Sequence, residues 1–193
     1  MSDRMSCIAA PVQPVINGID VGELRSTIAA IEESPAAGKT TWTIRSVWKG
    51  GTRSDHHVES CRIGAGDIPR RFTIPVDEPY ELCGSNRYAN PQEYLMAALN
   101  ACMMVGYSAV AALMGITLTR LEVTTYGDID LRGFLGIAPS VSAGYDNLHQ
   151  DVIIAGSGTD DEFRRLHDIV RATSPNFFNI TRAVPVNSRL TIA

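Results

Sequence analysis

The chain has 193 residues, of which 45% are hydrophobic and 20% charged, with a formal net charge of -4. That length suits one domain with a real core, and the balance excludes a disordered or multi-span chain. No basic run is long enough to follow a phosphate backbone, so nucleic acid is not an expected partner.

The opening stretch, MSDRMSCIAAPVQPV, is interrupted by Pro11 and Pro14 before an apolar segment of signal length forms, so secretion is not indicated. Cys7 is expected to be an arm cysteine rather than a lipidated one. The four cysteines, at 7, 61, 83 and 102, contain no CxxC pair and no regular framework. That usage points to a reducing, cytoplasmic compartment. Asp20-Val21-Gly22-Glu23 has the form of a capping box, and Leu24, Ile28 and Ile31 follow at helical spacing up to Pro35. A short amphipathic helix is predicted there, inside an N-terminal unit of residues 1–38.

From Thr40 the pattern turns to alternating and β-branched residues, TTWTIRSVWKGGTRSDHHVESCRIG, with Gly50-Gly51 separating two strand-like runs as in a hairpin. RRFTIPV supplies a third strand, and the loop DEPYELCGSNRYA leads to a long apolar stretch. In NPQEYLMAALNACMMVGYSAVAALMGITLTR no charged side chain occurs between Glu93 and Arg120. Asn90 suits an N-cap, Pro91 the first helical position and Gly115 the residue after the last turn. These marks define a helix of roughly 24 residues and on the order of 36 Å, long enough to cross a bilayer. Its Ala and Gly content, the internal Asn100 and the absence of a basic flank argue instead for a buried helix, with no membrane partner. A helix apolar all round must be covered all round, which a chain of this size does most readily by self-association.

After Gly115, ITLTRLEVTTYGDIDLRG is expected to form a long strand bent or bulged near Gly127, with Asp128, Asp130 and Arg132 on one face; DNLHQDVIIAGSG is another strand. Thr159-Asp160-Asp161-Glu162 is a second capping box, opening a helix through Phe163, Leu166, Ile169 and Val170 that ends near Ala172. Ser174-Pro175 caps a short helical turn, and AVPVNSRLTI is expected to close the chain as a strand. Consecutive strands rather than strand-helix alternation indicate an α+β fold with mainly antiparallel sheets.

Several local patterns carry no chemistry. PAAGKTT places Glu33 where a phosphate loop needs its first glycine, and Gly156-Ser157-Gly158 lacks a third glycine. His56 and His57 would point to opposite faces of a strand, so neither a metal nor any other cofactor is expected. Cys102 alone is compatible with a packed thiol; as a nucleophile it would need a cation brought from elsewhere.

Three blocks in order, NPQEYLMAALNACMMVGYSAVAALMGITLTRLEV, GDIDLRGFLG and RATSPNFFNITRAVPV, resemble the OsmC/Ohr family of thiol-dependent hydroperoxide reductases. The resemblance covers roughly residues 40–193 and implies an OsmC-like domain over residues 39–193. It implies an intertwined homodimer, with antiparallel sheets wrapped around long central helices and sites at the subunit interface. It further implies that Cys102 is the peroxidatic thiol, oxidised to a sulfenic acid by an organic hydroperoxide or hydrogen peroxide.

An arginine and a glutamate orient that thiol in the family. Arg53, in GGTRSD, is the candidate arginine, with Arg45 and Arg87 behind it. Gln92 stands ten residues before the cysteine, where the peroxidase members carry glutamate, and Glu93 matches a second acidic position. Either lies roughly 13 to 15 Å along an ideal helix from Cys102, so a role would come through chain bending or the partner subunit. Where the efficient peroxidases have a resolving Cys-Pro pair, this chain has Ser174-Pro175. An external thiol or dithiol reductant is then expected to recycle Cys102, with Cys83 the substitute resolving thiol to consider. The alternative is a non-catalytic OsmC-fold protein that holds an apolar ligand at the dimer interface.

Overall fold

The computed structural model describes residues 14–192, so Cys7 lies outside them. The first described element was not anticipated: a small hairpin of β1 (Val15–Ile16) and β2 (Ile19–Asp20). Its turn is Asn17-Gly18, both with positive φ (54° and 76°), the two-residue geometry that an Asn-Gly pair favours. Asn17 also docks the hairpin: its amide donates to the Ile116 carbonyl at 3.0 Å, and its side-chain oxygen accepts from Leu118 N–H at 2.8 Å. Helix α1 (Val21–Glu33) follows, capped by Asp20, whose carboxylate accepts from Glu23 N–H.

Four strands come next: β3 (Thr40–Trp42), β4 (Arg45–Trp48), β5 (Ser54–Ile63) and β6 (Gly66–Val76), all paired antiparallel. The first expected run is split at Thr43-Ile44, so β3 and β4 share one edge of the central strand β5 while β6 takes the other. The glycine turn falls where expected, between Trp48 and its partner Ser54.

Helix α2 (Pro91–Leu113) carries both terminal marks. Asn90 and Glu93 form a reciprocal capping box at its start. At its end Gly115 N–H donates to Ala112 and Ile116 N–H to Ala111, with Gly115 at φ 75°, a Schellman closure. Asn100 has its polar atoms satisfied across the sheet formed by β7 (Leu118–Tyr126) and β8 (His149–Gly156), antiparallel to each other. It donates to the Val123 carbonyl and accepts from the Thr125 hydroxyl at 2.6 Å and the Gln150 amide at 3.2 Å. Helix α4 (Asp160–Thr173), opened by its capping box, packs along α2, and α5 (Pro175–Thr181), capped by Ser174, follows. Leu99, Met103, Tyr107, Ala111, Ile116, Leu166 and Val170 form the core between these layers.

Two expectations are corrected. The strand after Gly115 stops at Tyr126, and its bulge lies between Leu118 and Arg120 rather than near Gly127. Asp130 instead caps the short helix α3 (Leu131–Phe134), accepting from Arg132 N–H, so the Asp130–Arg132 ion pair forms across a helix start and not along a strand face. The segment 183–192 pairs with no strand among the described residues. Its Val184, Val186, Leu190 and Ile192 are exposed, as a strand-like alternation is when no sheet edge receives it. The α+β class and the antiparallel sheets stand as expected.

Candidate functional site

Cys102 lies in the middle of α2, half-buried, on the side where α4 crosses. Four residues on, Gly106 makes that crossing close: a Cβ there would stand 3.0 Å from Val170 Cγ1. A bulkier residue would push α4 away, and with it the residue after its last turn. That residue is Ser174, 5% exposed, whose hydroxyl donates to Cys102 Sγ at 3.3 Å. The same oxygen accepts Phe177 N–H at 3.3 Å, while Ser174 N–H donates to the Val170 carbonyl at 2.9 Å. Asn176 adds a second tie, from its amide to the Ala98 carbonyl at 2.8 Å, one turn before Cys102.

Further along the same crossing, Tyr107 is fully buried and its hydroxyl meets His167 Nδ1 of α4. Burial pushes the Tyr107 phenol up to about 12, which keeps it a neutral donor. Burial also pushes His167 down, with the Arg171 guanidinium adding to it, so the imidazole is held neutral as the acceptor.

A cavity of about 400 Å³ opens between the four-stranded sheet and the first half of α2. Ile44, Ile74, Val76, Pro91, Tyr94 and Ala98 make it apolar. Ala98 is on the same helical face as Cys102, four residues away, although Cys102 itself does not border the cavity. His56 is its polar feature, with Nδ1 2.7 Å from the Ser46 hydroxyl and Nε2 2.9 Å from that of Ser54. Tyr94 holds the sheet to the helix by donating to the Pro75 carbonyl at 2.8 Å.

Of the residues singled out from sequence, Ser174 is brought to Cys102 within the chain and the others are placed elsewhere. Arg53 ends the turn between β4 and β5, and its Nε is buried without a hydrogen-bond partner among the described residues. The neighbouring Thr52 hydroxyl donates to Asp77, which is fully buried and also accepts from the Ser85 hydroxyl and backbone N–H. The Ser85 hydroxyl foremost holds the Asp77 carboxyl well below the usual carboxylate range, so it stays ionised and fastens the Arg53 turn to the 77–90 loop. Arg45 is committed to an exposed ion pair with Glu59, and Arg87 contributes its backbone N–H to Asp77.

Glu93 is occupied in the α2 capping box, accepting from Asn90 N–H at 2.7 Å. Gln92 borders a separate cavity of about 280 Å³ with Glu78, Leu82, Asn90, Phe134 and Tyr145. Cys83 is an exposed free thiol at φ 61°, closing the 3-10 turn Tyr80–Leu82. Cys61 and Cys102 are likewise free. The sequence reading set His56 aside as a metal ligand and missed Asn176 and Asp77. For these nothing local signals the role, whereas Gly106, a small residue one turn past Cys102, was a usable sign of close helix approach.

A family model described as OsmC-like protein matches residues 84–189. No curated protein sequence matches the chain. Among solved structures, an OsmC-like protein from Mycoplasma pneumoniae superposes with a TM-score of 0.57 at 17% identity, covering 73% of this chain and 87% of that one. An OsmC-like protein of unknown function from Vibrio cholerae superposes with a TM-score of 0.54 at 11% identity, covering 72% and 92% respectively. At these identities the likeness is one of fold.

Proposed function

The chain belongs to the OsmC-like protein family, and on that premise we propose that it reduces hydroperoxides through Cys102 and is recycled by an external thiol. The observation that carries this reading is the half-buried Cys102 sulfur, held by a hydroxyl donor at 3.3 Å, one turn along α2 from Ala98, which borders an apolar cavity. A hydroxyl donor fixes the direction of the sulfur, and the neighbouring apolar cavity suits the alkyl group of a hydroperoxide.

The thiolate attacks the distal oxygen of the hydroperoxide: an S–O bond forms, the O–O bond breaks, and the alkoxide leaves to be protonated as an alcohol. Sulfur is oxidised by two electrons to a sulfenic acid. A first external thiol displaces water to give a mixed disulfide, and a second releases it as the external disulfide, restoring the Cys102 thiol. The net change is one hydroperoxide and two thiols converted to alcohol, water and one disulfide.

A homodimer completes this reading. Along α2, Ala98, Ala101 and Val105 are exposed, Val105 by 70%, in a helix otherwise composed for burial. A second copy seated on that face would cover it, and Arg53, whose buried Nε has no partner among the described residues, is the cation assigned to the thiol in this reading. Free cysteines and a thiol-recycled cycle suit the cytoplasm.

Stopped-flow mixing with cumene hydroperoxide and a dithiol is the test. Wild type is expected to consume peroxide and Cys102→Ser to fall to the uncatalysed background; equal rates would refute the reading. The lining of the 400 Å³ cavity favours one other reading, a carrier of an apolar ligand in which Cys102 merely packs. It requires binding of an apolar fluorescent probe by wild type and Cys102→Ser alike, with no peroxide consumption by either.

A further inference from the structure

We propose that Ser174 is the positioning residue of the Cys102 thiol, a fixed hydroxyl donor that orients the sulfur and takes no part in resolving it. This deepens the peroxidase reading and rests on it for its purpose, though the contact itself is independent of any substrate.

A serine hydroxyl has one hydrogen and can turn to serve several acceptors. Here it cannot turn freely. As the N-cap of α5, Ser174 Oγ receives Phe177 N–H at 3.3 Å, which commits a lone pair to that side. Its backbone N–H closes the last turn of α4 on the Val170 carbonyl at 2.9 Å, and Pro175 fixes the chain direction beyond it. With 5% exposure there is little water to compete, so the remaining hydrogen is directed at Cys102 Sγ, 3.3 Å away. Sulfur accepts from that hydroxyl, so the contact sets where the thiol points.

The same placement has a consequence after oxidation. The sulfenic acid formed on Cys102 faces a hydroxyl, a poor nucleophile with no sulfur, which cannot close a disulfide. The position that touches the sulfur is therefore filled by a group that prepares the thiol but leaves its oxidised form for an outside reductant. A thiol at position 174 would instead attack the sulfenic sulfur, form a 102–174 disulfide and release water.

Alkylation of Cys102 by iodoacetamide, followed by peptide mass across pH in Ser174→Ala and Ser174→Thr, tests the contact apart from peroxide chemistry. Losing this hydrogen bond is expected to slow alkylation by about tenfold across the pH range. Ser174→Thr, which keeps both hydroxyl and cap, should restore the rate. Wild-type alkylation across pH in Ser174→Ala would overturn the proposal, because loss of the cap alone alters stability without moving that rate. Ser174→Cys checks the geometry: one equivalent of cumene hydroperoxide, without added thiol, should yield the 102–174 disulfide where wild type yields the sulfenic acid. Accumulation of sulfenic acid in Ser174→Cys would also overturn it. If wild type ignores peroxide while alkylation still depends on Ser174, the peroxidase reading falls and the contact stands. If wild type consumes peroxide and Ser174→Ala matches it in both assays, the contact falls alone.

Discussion

The helical layer and the four-stranded sheet treat their apolar side chains in opposite ways. Between α2, α4 and the β7–β8 pair, Met103, Tyr107, Leu166 and Val170 are all at 0% exposure. On β3–β6 and their connections, Trp42, Ile44, Trp48 and Phe72 stand out in solvent, Trp48 by 74%. One region completes its core within the chain, and the other presents apolar surface that a single copy does not cover. An exposed apolar area of that kind is where a partner surface is to be sought, since both edges of β5 beneath it are paired.

The contrast can be broken by mutation. Leu166→Ala empties a closed site and is expected to cost about 2 to 5 kcal/mol in urea unfolding; a cost like that of an exposed position would mean the helical layer is not closed. Trp48→Ala should act on association instead. If the sheet face is covered by a second copy, sedimentation across a dilution series should show a dissociation constant raised at least about tenfold, the effect of truncating a buried aromatic anchor. An unchanged oligomeric state would place the partner surface elsewhere.

The smallest effect concerns pH and belongs to the closed side. His167 is pushed down from its ordinary value by burial, so the unfolded chain takes up its proton first as pH falls. Its contribution to stability is complete above the unfolded value of about 6.5 and declines as pH drops through the lower folded value. Thermal unfolding of wild type should thus weaken below about pH 6.5, and His167→Gln should lose that part of the slope. An identical slope in both would show that the Tyr107–His167 contact carries no linkage.

Much of the fold was legible because local rules agree with it. The Asn90, Thr159 and Ser174 caps, the breaker at Gly115 and the Gly50-Gly51 turn each operate within a few residues, and each lies where the pattern put it. The errors have the same origin. Gly127-Asp128-Ile129-Asp130 alternates like a strand, but Asp130 finds the Arg132 N–H two residues on and starts a helix, a local competitor that alternation does not reveal. Val184 to Ile192 alternates as well, and pairing needs an edge that this part of the chain does not meet. The hairpin at Asn17-Gly18 was signalled by its turn residues, though its strands are too short to show periodicity.

By itself the sequence determined most of the elements, their caps and the family resemblance that singled out Cys102, because those follow from periodicity and from residues a turn apart. The tertiary structure alone decided that Ser174, 72 residues away, touches that sulfur, and that Glu93 is spent on a helix cap. It also decided that buried Asp77 anchors the turn bearing Arg53. Such contacts depend on how α4 crosses α2 and how the sheet folds onto the 77–90 loop, and chain distance carries no record of either.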